Sequence, residues 1–189
     1  MFMRRTNVLA LLIILGVMAL GGCISTGQRA GESESSSQLP VEASAFGRNA
    51  SFTVDGTLIT LVNGVSSAPE ESSSARTTTR YLGGEASGDL NGDGLEDFSF
   101  WVTQDSGGSG TFYYVVVALK SPSGYTTTNA FLVGDRIAPE SMQIRPDARE
   151  LHVRFVGRKR GEPMTAPPSE PKVLLLKVTP NGTLEGLMK

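Results

Sequence analysis

The apolar positions of this chain change rhythm twice. Residues 7–20 are almost continuously apolar, residues 24–48 show no apolar period, and from residue 49 short apolar runs alternate with turn-forming residues. Runs of Val, Ile, Thr, Phe and Tyr bounded by Gly, Pro, Asn and Asp predict strands. "SFTVDGTLITLV" has two such runs around Asp55-Gly56, a pair suited to a two-residue type I′ hairpin. The polar stretch that follows predicts a loop over residues 66–76, with the next strand starting at residues 80–82. "FSFWVTQ" and "TFYYVVVALK" flank a glycine-rich turn, "SGGSG". Residues 113–119 are apolar throughout, which predicts a central strand buried on both faces.

"YTTTNAFLVG" predicts one further strand, and "SMQIRPDARELHVRFVG" predicts two around Pro146-Asp147. "GEPMTAPPSEP" is irregular, because its prolines remove donors and fix φ. "KVLLLKVTPNGTLEGL" predicts a closing hairpin around Asn181-Gly182. No segment after residue 24 carries a helical period. The expectation is an all-β domain over residues 49–189, with roughly eight mostly antiparallel strands forming a sheet, sandwich or barrel.

The N-terminal pattern changes the picture. Arg4 and Arg5 precede the apolar stretch, which is too short to span a bilayer, since a spanning helix needs roughly 20 apolar residues. This is the organisation of a secretory signal peptide over residues 1–22. The residues after Arg4-Arg5 match a twin-arginine signal poorly. The stretch closes on Leu20-Gly21-Gly22-Cys23, and Cys23 is the only cysteine. The quartet resembles the lipobox of bacterial lipoproteins. That resemblance implies cleavage before Cys23, a diacylglyceryl group on its sulfur and a lipid anchor in the membrane. Two or more acyl chains hold a protein firmly, at about 0.8 kcal/mol per buried methylene. With one cysteine, no internal disulfide is available. Loss of Arg4 and Arg5 takes the net charge from −2 to −4, which gives nucleic acid no electrostatic footprint. Residues 23–48, rich in Ser, Gly and Glu, read as a flexible tether with a reach of roughly 25 Å.

One short stretch carries candidate chemistry. "GDLNGDGLED", residues 88–97, packs four acidic side chains, one amide and three glycines into ten positions. Counted from Asp89, the oxygen donors Asp89, Asn91, Asp93 and Asp97 occupy alternating or near-alternating places. Gly94 permits a sharp turn, and Leu95 can offer its carbonyl. An all-oxygen set of this kind suits Ca²⁺ better than Mg²⁺, which demands stricter geometry. The EF-hand pattern fails at its twelfth place, where Phe100 stands instead of a glutamate. D-x-N-x-D-G-x-x-D between strands resembles the calcium loops of FG-GAP and integrin-propeller repeats, and the first part of a dockerin loop. These resemblances imply a structural Ca²⁺ that ties the loop to the strand entering at Phe98. A single copy excludes a propeller built by this chain alone. The alternative is an acidic turn that is simply solvated.

"GDLNGDGLEDFSFWVTQDSGGSGTFYYVVVAL", with "GDRIAP" and "GEPM", is also similar to an uncharacterised bacterial domain of exported proteins and lipoproteins, covering about residues 50–187. That likeness implies export and a fold unit but no activity. A hydrolytic triad from Ser109, Asp105 and His152 is conceivable, yet alternation with Leu151, Val153 and Phe155 turns His152 away from the apolar face. "GGSG" lacks the lysine and following helix of a phosphate loop. Carboxylate pairs among Glu85, Asp89, Glu96 and Asp105 suit glycoside hydrolysis only at a separation that sequence does not supply. Arg158-Lys159-Arg160 reads as a solvated loop, Asp135-Arg136 as a local ion pair, and Trp101, Phe112, Tyr113 and Tyr114 as packing residues.

The expected protein is an exported, lipid-anchored β-domain stabilised by Ca²⁺, with a non-catalytic binding or structural role toward an envelope protein or glycan. The alternative is a cell-envelope hydrolase acting on glycan, peptide or lipid. Ile24, in place of the retention aspartate of the enterobacterial sorting rule, points to the outer membrane where a cell has two. Otherwise the anchor would sit in the outer face of the cytoplasmic membrane.

Overall fold

A computed structural model describes residues 41–69 and 75–187. The signal segment, Cys23 and most of the expected tether lie outside the described residues. The described residues all belong to one compact unit.

The unit is built almost entirely from antiparallel strands. In chain order the elements are the helix α1 (Val41–Gly47) and the strands β1 (Ser51–Val54), β2 (Thr57–Thr60), β3 (Val65–Pro69), β4 (Arg76–Gly88), β5 (Asp97–Asp105) and β6 (Phe112–Ser121). There follow β7 (Gly124–Thr127), β8 (Phe131–Asp135), β9 (Ala138–Arg145), β10 (Glu150–Gly157), β11 (Glu170–Val178) and β12 (Leu184–Gly186). One sheet runs β3-β4-β5-β6-β7, with β8 also on β6. A second runs β12-β11-β10-β9, and β1-β2 form a separate hairpin.

The strand β6 organises the unit. One edge pairs with β5, and the other pairs with β8 at its start and β7 at its end. Its side chains alternate between two cores, as strand geometry requires. Phe98, Phe100, Val102, Tyr114, Val116 and Ala118 face α1 and the β1-β2 hairpin, where Phe52, Val54 and Leu61 meet them. Trp101, Val115 and Val117 face the second sheet, against Leu151, Val153 and Leu176. The expected doubly buried strand is therefore present, with Val115, Val116 and Val117 fully buried. Each such side chain contributes roughly 1.5–3 kcal/mol by leaving water.

The turn residues act locally. Asp55 and Gly56 both have positive φ, 48° and 82°, as a type I′ turn requires. Asn63 and Gly64 repeat the device at 52° and 87°, with Val62 bridged to Val65. This Asn-Gly turn, absent from the sequence reading, launches β3.

The structure corrects the sequence reading in four places. Residues 66–69, expected as loop, form most of β3, an edge strand whose polar side chains are largely exposed. The strand after it, β4, begins at Arg76 instead of residue 80. Residues 41–47, expected as tether, form a helix too short to show a period. It is held by tertiary contact, with Ala43 buried and Phe46 packed edge-on against Phe98. The single strand expected from "YTTTNAFLVG" is two. Asn129 interrupts it by pairing its side chain with the backbone of Leu184, accepting at 2.7 Å and donating at 3.3 Å. Thr128 Oγ1 meanwhile accepts the Val117 N–H at 3.1 Å.

Gly83 and Gly84 put a bulge into β4, both at positive φ, and the register against β5 shifts there. A β-carbon on Gly84 would stand 2.8 Å from Trp101 Cδ1. Gly84→Ala is expected to cost about 2–4 kcal/mol from left-handed strain plus overpacking. Gly161→Ala, at φ 85° in open space, should cost only the strain, about 1–2 kcal/mol. Urea unfolding of Ser37–Lys189 reads the difference; equal losses would mean that Trp101 yields without cost.

Candidate metal centre

The acidic loop joins β4 to β5, and its polar atoms are arranged largely by its own backbone. Asp89 accepts N–H groups with both oxygens, from Gly92 at 2.6 Å and Gly94 at 2.9 Å. Asn91 Oδ1 accepts from Asp93 N at 2.9 Å, and Asp93 Oδ1 from Leu95 N at 2.8 Å. Asn91 Nδ2 donates to Asp93 Oδ2 at 2.9 Å. Gly92 and Gly94 adopt positive φ, 85° and 83°, which lets the chain fold back at each step. The side chain of Leu90 is buried and pins the loop to the second core.

Asp97 behaves differently. It is 0 % exposed. Its Oδ2 accepts the N–H of Leu90 at 2.9 Å and of Asn91 at 3.3 Å, and its Oδ1 accepts the N–H of Lys120 on β6 at 2.9 Å. Burial pushes its carboxyl pKa up. The three backbone donors pull the other way, and the nearby Asp93 charge adds to the rise. The sequence reading placed Asp97 as a ligand; its structural role as a staple between loop and sheet was missed. The signal lay in its position, directly before the apolar run at Phe98.

The structure thus brings Asp89, Asn91, Asp93 and Leu95 into one hydrogen-bonded turn and turns Asp97 inward. Among the described residues, no three His, Cys, Asp or Glu side chains are gathered as a metal cage. The donor chemistry still fits a hard cation. A carboxylate oxygen has two lone pairs, so a backbone bond leaves one for a metal. Asp89 and Asp93, with the oxygen of Asn91, the carbonyl of Leu95 and the singly bonded Oδ1 of Asp97, are the residues that would hold Ca²⁺.

The other candidates separate. Asp105 Oδ1 accepts Gly107 N at 2.7 Å within its own turn, Ser109 is exposed, and His152 Nε2 pairs with Glu150 at 3.1 Å. Asp135 and Arg136 form the expected ion pair at 2.9 Å. Arg158, expected in a solvated run, instead donates to the carbonyls of Ala166, Asp135 and Arg136 and pins the proline-rich loop. Trp101 and Tyr114 are core residues. Among the described residues, no helix is long and apolar enough to cross a membrane. No protein-family model, curated protein or solved structure matches the chain.

The two aspartates should respond differently to truncation in a calcium-free buffer. Asp97→Ala strands three backbone donors and is expected to cost about 3–5 kcal/mol. Asp93→Ala, on the exposed loop, should cost about 0.5–1 kcal/mol. Denaturant midpoints measured side by side check this ranking, and equal losses would refute the staple role of Asp97.

Proposed function

We propose that this protein is an exported, lipid-anchored β-domain whose acidic loop holds one structural Ca²⁺, and that it serves the cell envelope by binding or scaffolding, not by catalysis. The observation that carries the reading is the loop itself. Asp89, Asn91 and Asp93 are pre-shaped by successive backbone N–H bonds, with glycines where the chain reverses. A bound cation would neutralise carboxylates that otherwise repel one another. Asp97 holds this turn to β6, so that order in the loop is passed to the central strand.

The sequence supports the anchor: a basic start, a short apolar stretch and Leu20-Gly21-Gly22-Cys23. In this reading acyl chains on Cys23 are the membrane partner, and an envelope protein or glycan is the second. A cell with two membranes would carry the protein on the outer one. The hydrolase alternative draws no support from Ser109, Asp105 and His152, which share no hydrogen bond among the described residues.

Thermal unfolding of Ser37–Lys189 in chelator and then in millimolar Ca²⁺ tests the loop. Stability should rise by about 2.7 kcal/mol at a hundredfold excess over Kd, and Asp93→Ala should abolish the rise. An unchanged midpoint in both proteins would mean a solvated turn. Cys23→Ser tests the anchor: the wild-type chain should take up labelled fatty acid and fractionate with membranes, and the variant should do neither.

A further inference from the structure

Beside the acidic loop lies a cleft of about 490 Å³. Three connections meet there: the loop at Leu90–Asp93, the β9–β10 turn at Ala148 and Arg149, and the β11–β12 turn beyond Lys177. Leu90, Leu119, Val178 and Pro180 supply apolar lining. Asn91, Asp93, Arg149, Lys177 and Thr179 add polar lining, so the cleft is mixed and its apolar part is small.

The polar groups are not balanced. Arg149 ends its turn at φ 53°, a left-handed conformation that non-glycine residues seldom adopt. The conformation closes the hairpin, with Arg149 N–H donating to the Pro146 carbonyl at 3.2 Å, and the closed turn carries the side chain toward the loop. Its guanidinium lies over the backbone of Gly92, where a β-carbon would overlap it. Among the described residues, no carboxylate forms an ion pair with Arg149. Lys177, near the end of β11, forms a long ion pair with Glu150 Oε1 at 3.6 Å, while Glu150 Oε2 is engaged by His152. The one acid lining the cleft is Asp93, and both its oxygens already have partners within the loop. The Arg149 guanidinium thus has no carboxylate partner among the described residues, while Lys177 stands in a long ion pair with Glu150 that a second oxyanion can share.

We propose that the cleft binds a ligand carrying one oxyanion, a carboxylate or a phosphate monoester, on an apolar stem. Arg149 and Lys177 hold the oxyanion; Leu119, Val178 and Pro180 receive the stem. The guanidinium fork suits a planar carboxylate or two phosphate oxygens. The cleft shares the loop Leu90–Asp93 with the proposed calcium site, so binding is tested without calcium, where only the basic side chains and the lining act.

The test is calorimetric titration of the full chain in detergent, in calcium-free buffer from which chelator has been dialysed, because a chelator is itself a polycarboxylate. The probes are N-acetyl-leucine for the carboxylate and n-butyl phosphate for the phosphate. Saturable binding of at least one is expected, and the tighter probe identifies the source. Arg149→Gly keeps the left-handed backbone without strain and should weaken binding about tenfold or more. Lys177→Gln should weaken it in the same direction, and its unchanged unfolding midpoint would separate ligand loss from misfolding. Absence of saturable binding of both probes, or binding undiminished in both variants, would overturn the proposal. The calcium-dependent unfolding shift is a separate readout, so failure of one reading is distinguishable from failure of the other.

Discussion

A carboxylate taken wholly out of water must be compensated, and the buried side chain of Asp97 imposes that condition on everything around it. Desolvating an ion costs several kcal/mol even after relaxation. Here the compensation is three backbone N–H groups, from Leu90, Asn91 and Lys120. Those donors come from two places, the acidic loop and the far end of β6. One side chain therefore sets where β5 begins, how the loop closes over it and how β5 and β6 meet at that end. Hydrogen bonds to a charged group are worth about 1.5–3 kcal/mol each and offset much of the burial cost, though the raised pKa of Asp97 shows that desolvation still outweighs them.

That fixed end lets β5 and β6 serve two cores at once. Their alternate side chains face α1 and the β1-β2 hairpin on one side and the second sheet on the other. Asn129 then ties the break between β7 and β8 to β12 by a backbone-like pair of bonds to Leu184. Gly84 gives Trp101 room where β4 bends. The layers are held by side chains that stand in for missing ladder bonds, and no disulfide is needed among them.

The parts of this fold that were legible in the sequence are those decided locally. Asp55-Gly56 specified its turn because few other pairs tolerate two positive φ values. The apolar run 113–119 announced a strand buried on both faces because nothing polar interrupts it. The parts that were not legible depend on partners distant in the chain. Seven residues of α1 carry too little period to register, and Ala43 is buried only because β-strands lie beneath it. The polar strand β3 exists because β4 offers it a ladder. Asn129 reads as an ordinary strand residue until Leu184, 55 positions later, is beside it. In the acidic loop the spacing of donors was visible. The inward turn of Asp97 and the arrival of Arg149 over Gly92 were not, since both come from tertiary contact.

The most direct measurement is hydrogen exchange at the amides of Leu90, Asn91 and Lys120 in calcium-free buffer. If the Asp97 carboxylate holds loop and sheet together without help from an ion, all three should open only with the whole unit, as slowly as the core amides of β6. Exchange of Leu90 and Asn91 as fast as the exposed loop amide of Gly94 would contradict this, and would make the loop dependent on something other than Asp97 for its order.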